Sequence, residues 1–461
     1  MYARSWISCG LKLRYDHLGI AMNASSDSHR PWHQPGKWLV NPAYWDDEAR
    51  AARPQMRPRI NFIDCTVSEG DDCVGHQLNW NTRLAVIERL DAIGVGEITM
   101  PSHVTFSEER DLIKACRRMG IRSRLVAKGP GVRPPLRGDW KSLIDRHIDL
   151  GTEVISPIFK WRYEDTTSDF SAGLSKDAIV ESIHESIAYM KRQRVRVVPW
   201  MEDSMRSPSD TACLFFKAMA DAGADGVYTV DSRGNSTPLA TRVYISRVRQ
   251  AVGDTCDVYV QHHNDLGVAT ANAMAAVEAG ANWIDASVIG IGDRGGCVAL
   301  EEAAALFEMY GIETGIRLEG LYELCRFVQD AYGITLPPWK PIVGSNWNKE
   351  EGAGHLEGSS NAEATIGIAP QVVGREFEPV IGGKILFGRE RSSAHTDDPV
   401  LLRNLMRDWG HLPTEQQFQT VLFRARAAVA TNYGRHYLTF DEFRSICEGV
   451  MLAHYEQREH R

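Results

Sequence analysis

Between residues 60 and 289 short apolar, β-branched runs alternate with longer stretches whose apolar positions recur every three or four residues. This is the pattern of βαβ units: buried parallel strands read as continuous apolar runs, and the helices that cover them read as amphipathic. Eight strands are predicted, at 60–67, 97–100, 122–128, 153–158, 195–201, 226–230, 257–263 and 283–289. The helices between them include 79–93, 108–119, 176–192, 209–222, 239–252 and 266–279, several ended by Gly94, Gly120, Gly223 or Gly280. Glycine just past a helix takes up left-handed backbone without steric penalty, which stops the helix there. Eight strand–helix units close most economically into a (β/α)8 barrel of the TIM type, with reactive groups at the C-terminal ends of the strands. An open doubly wound sheet is the weaker alternative, because no GxGxxG follows the first strand.

The flanks differ in pattern. Residues 1–58 hold Trp6, Trp32, Trp38 and Trp45 among prolines and charges, so an irregular arm packed on a neighbour is expected. After the barrel (59–315), 318–332 reads as a helix, 336–345 is proline-rich, and 346–391 is glycine-rich with weak periodicity, giving a connector at 316–391. Residues 399–408, 414–431 and 440–455 read as three helices of a small, mainly helical C-terminal subdomain, 392–461.

Composition narrows the function classes. A chain of 461 residues suits a barrel of roughly 250 residues with appended elements. The net charge of -8, with no basic run, argues against a nucleic-acid partner. No apolar run approaches the ~20 residues needed to span a bilayer, so no membrane role is expected. Nine scattered cysteines without a CxxC spacing read as reduced thiols of a cytoplasmic enzyme. Arg4, Lys12, Arg14 and Arg30 give the N-terminus a weak likeness to an organelle-targeting segment, and Met22 is an alternative start.

Candidate chemistry lies at the predicted strand ends. The first runs Asp64-Cys65-Thr66-Val67-Ser68-Glu69-Gly70-Asp71-Asp72, where Glu69, with Asp64 or Val67 upstream, can approach the barrel mouth as a hard-metal ligand. On the seventh, Gln261 and His263 share one face, so an amide oxygen and an imidazole can reach one cation while His262 faces the helices. His76 and His103 follow strands one and two and are further candidates to face substrate.

Six ordered segments carry a family resemblance. His263-Asn264-Asp265-Leu266-Gly267 and the alanine-rich stretch to Ala281, the loop Gly290-Ile291-Gly292-Asp293-Arg294-Gly295-Gly296 with Leu300-Glu301-Glu302, Glu202-Asp203-Ser204-Met205-Arg206-Ser207, Asp231-Ser232-Arg233-Gly234, Lys340-Pro341-Ile342-Val343-Gly344 and Glu351-Gly352-Ala353-Gly354-His355 resemble the motifs of the isopropylmalate, homocitrate and citramalate synthases. The resemblance spans about residues 60–456. It implies a barrel with a helical subdomain in a homodimer, the subdomain reaching over the partner's barrel mouth. It also implies a divalent metal (Mg, Mn or Zn) that chelates a 2-oxo acid, and an acyl-CoA, acetyl-CoA in the first instance, whose enolate attacks the ketone. Carried over by position, the metal ligands are Glu69, Gln261 and His263, and His355 is the partner-supplied acid/base group. Glu202, Arg206 and Lys128 are the other candidate catalytic groups. Gly290, Gly292 and Arg294 are expected at the cofactor, with Arg294 meeting a phosphate or carboxylate.

This chain departs from the family pattern. Ser68 stands where the family has an arginine before the acidic ligand, Gln261 stands for the first of two paired histidines, and Lys128 for a third-strand histidine. Losing the arginine removes an oxyanion-stabilising charge worth ~3 kcal/mol. Lys128 and Arg206 are the candidates to replace it, and Lys128 is also weighed as a Schiff-base amine. Cys297 follows two glycines, as the catalytic cysteine of 3-hydroxy-3-methylglutaryl-CoA lyase does, although a buried structural thiol is the plainer reading. The expectation is therefore a metal-assisted acyltransferase on a small 2-oxo acid. A carbon–carbon lyase running the reverse cleavage and an inactive barrel kept as a binding subunit are the alternatives.

Overall fold

The computed structural model describes residues 30–101, 104–132, 136, 139–160, 175–351, 366–387, 400–432 and 434–459. Eight parallel strands pair side by side and close on themselves. They are β1 (Asn61–Asp64), β2 (Glu97–Thr99), β3 (Arg124–Val132), β4 (Val154–Lys160), β5 in two pieces (Arg196–Val197 and Trp200–Glu202), β6 (Gly226–Asp231), β7 (Asp257–His262) and β8 (Trp283–Ala286). The helices between and after them are α1 (Trp80–Ile93), α2 (Phe106–Met119), α3 (Trp140–Ile148), α4 (Lys176–Arg192), α5 (Ser209–Asp221), α6 (Pro238–Val252), α7 (Ala269–Glu278) and α8 (Leu300–Met309). The expected (β/α)8 barrel is therefore the observed one.

Period-two alternation sorts each strand's side chains into two layers. On β7, Val258 and Val260 join the core between sheet and helices, while Tyr259 points into the lumen. Ile63, Val126, Val154, Val198, Tyr228, Val230 and Trp283 fill the lumen with it. Below them, at the N-terminal end, Glu97 takes ion pairs from Arg124 and Arg196 and a hydrogen bond from the Tyr259 hydroxyl (3.1 Å). Side chains thus fill the described part of the barrel's interior.

Several strands stop earlier than the apolar runs suggest. β1 ends at Asp64 because its Oδ1 accepts the Thr66 amide (2.8 Å), a local bond that competes with the ladder, and Thr66–Glu69 turns helical. β5 is broken around Pro199, which has no N–H for the sheet. β8 ends at Ala286, and the chain turns through Val288–Gly290. Ile63 faces the lumen, so Asp64 faces the helices, as does Phe62, which stacks on Phe307 of α8 (5.8 Å). Val67 belongs to that outer layer too. Neither Asp64 nor Val67 approaches the mouth as expected.

The flanks are more ordered than their composition suggests. Trp45 of the N-terminal arm stacks on Tyr310 at the end of α8 (5.7 Å, 3°), so the described part of the arm packs on its own barrel. The connector 316–391 divides between two cores. Helix α9 (Leu321–Tyr332) buries Leu321, Leu324 and Val328 against the barrel. Strands β9 (Lys349–Glu350) and β10 (Glu378–Gly382) form a small sheet with β11 (Tyr437–Thr439). Ile381, Ile385 and Leu386 pack with Leu402, Met406 and Phe418 in the second core, that of the C-terminal helices Val400–Asp408, Glu415–Thr431 and Phe440–Glu459. Thr414 starts the second of these helices with a reciprocal capping box to Gln417.

Candidate active site

Five side chains converge at the C-terminal end of the barrel. Glu69 arrives on the turn after β1, Lys128 on β3, Gln261 on β7, His263 just past β7, and Cys297 in the glycine loop after β8. All but Lys128, which is partly buried, are buried. The Lys128 ammonium donates to Glu69 Oε1 and lies 5.5 Å from the centre of the Trp200 ring. His263 Nε2 stands 3.8 Å from Glu69 Oε2, and its Nδ1 faces the Asp231 carbonyl (3.2 Å). That carbonyl fixes the ring so that Nε2 is the atom presented to the mouth.

The charges support one another. Burial works against a charged Glu69, yet Lys128 and His263 hold its carboxyl well below the usual range. Burial likewise opposes charge on Lys128 and His263, and Glu69 more than offsets it in both, so each is raised. A lysine held protonated in this way is not a poised nucleophile, which removes the support for a Schiff-base amine. An interaction with Cys65 pulls the Cys297 thiol down, but burial and the carboxylates of Glu69 and Asp285 leave it raised.

A family model described as HMGL-like matches residues 59–328. The chain belongs to the HMGL-like family. Among curated relatives, it is 30% identical over 375 residues to a homocitrate synthase of Methanopyrus kandleri, covering 80% of this chain and 87% of that one. It is 29% identical over 377 residues to a 2-isopropylmalate synthase of Methanocaldococcus jannaschii, covering 80% of this chain and 68% of that one. Among solved structures, an HMG-CoA lyase from Bacillus subtilis superposes with a TM-score of 0.51 over 61% of this chain and 96% of that one, at 15% identity. That likeness concerns the barrel fold alone.

Within this HMGL-like barrel the other candidate residues are placed as follows. Glu202 ends β5 and is half-buried. Arg206 is exposed and folds back on Asp203, three residues earlier, so its charge is engaged by a neighbour and not by the Glu69 cluster. Arg294 reaches Asp265 (2.8 Å), Asp293 and the Ser232 carbonyl (2.8 Å), clamping the loops after β6, β7 and β8 together. Gly290 turns with φ +70°, and a Cβ on Gly292 would stand 2.8 Å from Cys297 Sγ, so these glycines shape the loop around the thiol. His76 hydrogen-bonds the Tyr332 carbonyl (2.8 Å). His103 and His355 lie outside the described residues.

One lumen pair, Asp285 with Tyr228, escapes a reading of strand ends. Asp285 of β8 is fully buried, with Oδ2 bonded to the Tyr228 hydroxyl and Oδ1 without a partner among the described residues. Burial pushes it up to about 6. Its inward direction follows from Trp283 two positions earlier, so strand alternation was the available signal.

The donor set fits a divalent ion. One ligand atom from each of Glu69, His263 and Cys297 lies within 4.8 Å of the others. Gln261, one inward step below His263, is buried, with its Nε2 unpartnered among the described residues. Carboxylate, imidazole and thiol are the donors that transition ions accept.

Proposed function

We propose that the protein is an acyltransferase that joins an acyl-CoA, acetyl-CoA in the first instance, to a 2-oxo acid by Claisen-type condensation. The observation that carries this reading is the cluster of Glu69, His263, Cys297 and Lys128 at the C-terminal mouth of an HMGL-like barrel. The synthases among its relatives, at about 30% identity over most of the chain, support the condensing direction. Glu69, His263 and Cys297 would hold a divalent ion, with Gln261 beside them. When bound, such an ion supplies Lewis-acid polarisation of a carbonyl. The sulfur donor favours zinc over magnesium, whereas the carboxylate and amide alone would not.

The chain's own residues supply the rest. Lys128 brings toward the mouth the positive charge that Ser68 lacks, held there against Glu69, so that it acts on the reacting centre through the carboxylate it balances. The Trp200 ring stands beside that ammonium. The Arg294 clamp keeps the glycine loop, and with it Cys297, in register with His263. His355 is proposed as the acid/base group, contributed across a homodimer. A cytoplasmic setting is proposed with it.

The test is direct. Purified protein with a divalent ion, acetyl-CoA and a panel of 2-oxo acids should release free thiol only with its proper acceptor, and chelator should abolish that release. Thiol release indifferent to every acceptor would defeat the proposal. Cys297 beside Glu69 and His263 favours a second reading, cleavage of a hydroxy acid, which would show as pyruvate or aldehyde release from hydroxy diacids without any thiol signal.

A further inference from the structure

Glu69 is asked to serve two cations. Its Oε1 carries the Lys128 ammonium, and its carboxylate is also one of the three ligands grouped with His263 and Cys297. A divalent ion at that group and an ammonium on the same carboxylate would repel each other in a buried, low-dielectric site. Both cannot be held there at full strength. Lysine, on a flexible four-carbon stem, is the one able to leave.

A second seat is present. Asp285 stands two positions past Trp283 on β8 as Lys128 stands two past Val126 on β3, and Val126 and Trp283 both face the lumen, so the two side chains point into the same space. Asp285 is fully buried, its Oδ2 takes the Tyr228 hydroxyl, and its Oδ1 is unpartnered among the described residues. A buried carboxylate oxygen left without a donor is unfavourable, and an arriving ammonium relieves it.

We infer that Lys128 is an internal competitor for the metal site: it neutralises Glu69 in the metal-free protein and passes to Asp285 when a divalent ion takes Glu69. The inference rests on the metal reading proposed above. Lys128 is thus a positioning residue for the ion. It keeps the empty mouth charge-balanced and weakens ion binding by the strength of the pair that must be broken. Asp285 and Tyr228 restore part of that loss by receiving the displaced charge.

Calorimetric titration of the chelator-treated full chain with Zn2+ and with Mn2+ tests this without reference to activity. Lys128→Met should bind the ion about tenfold more tightly than the parent. Asp285→Asn should bind it about tenfold less tightly, because the displaced ammonium has nowhere to go. Lys128→Gln serves in place of Lys128→Met should the apolar variant not fold, as judged by its thermal melt. Equal affinity in the parent and the Lys128 variant overturns the competition while leaving the metal site standing, and weaker binding in that variant would make Lys128 a support of the ion and overturn it equally. No binding by any of the proteins defeats the metal reading and this inference together.

Discussion

Asp64 closes the first barrel strand with one oxygen on the Thr66 amide (2.8 Å) and the other buried without a partner among the described residues. Burial pushes it up to about 7, against ~3.9 for a free aspartate. The folded state therefore binds the extra proton, and the stability this gives is complete below about pH 4 and lost as pH rises through 7. Asp64→Asn keeps the oxygen that accepts Thr66 and removes the charge. Its melting temperature should exceed the parent's at about pH 8 by clearly more than at about pH 5; equal differences at both would show that Asp64 carries no such penalty. Glu69 behaves in the opposite sense. Its carboxyl is held low by Lys128 and His263, so its share of stability is lost as the solution is acidified. Glu69→Gln in the chelator-treated protein breaks the Lys128 pair, which the seat at Asp285 offsets only in part, and should lower stability by about 3 kcal/mol. Adding Lys128→Met should recover most of that in a double-mutant cycle.

The glycine loop after β8 acts as one element with the end of β7. Gly296 sits at φ +81°, and a Cβ there would fall 2.0 Å from the Gly290 carbonyl. Cys297, the next residue, bridges His263, and the Gly296 carbonyl takes the Asn264 amide (2.8 Å). Gly296→Ala must therefore move the loop that carries Cys297. A displacement of about 1 Å at a reacting centre can lower turnover about a hundredfold. Steady-state kinetics beside a thermal melt should show that loss of kcat with only a modest fall in stability; unchanged kcat would mean that the loop does not position the mouth. Helix positions were legible from the chain because capping and glycine stops are local, as at Gly94 and Gly120, both left-handed in the structure. Strand ends were less legible, because Asp64 and Pro199 end ladders through bonds that hydropathy does not register.

At the scale of the molecule, the described residues gather apolar side chains in the barrel, between sheet and helices and in the lumen, and in a separate core around Phe418, Met406 and Phe443. Phe418 is fully buried in that separate core. Phe418→Ala should destabilise that unit by about 3–5 kcal/mol. Calorimetry should then resolve an early transition for the C-terminal unit while the barrel's remains in place. A single transition displaced as a whole would show that the two cores unfold together.

Order and period along the chain were enough to specify eight strand–helix units, their closure, and the placing of Gln261 and His263 at one end, since these depend on repeats of two and 3.6 residues, whereas Glu69 reaches that end on a helical turn that the period of two does not register. Which polar group meets which was decided only in three dimensions. Lys128 lies on Glu69, Arg206 turns back on Asp203, Arg294 ties three loops, and Asp285 waits beneath them. Those pairings join residues from separate strands, so they depend on the stagger of the closed sheet and on the burial it imposes, quantities that no local window of sequence contains.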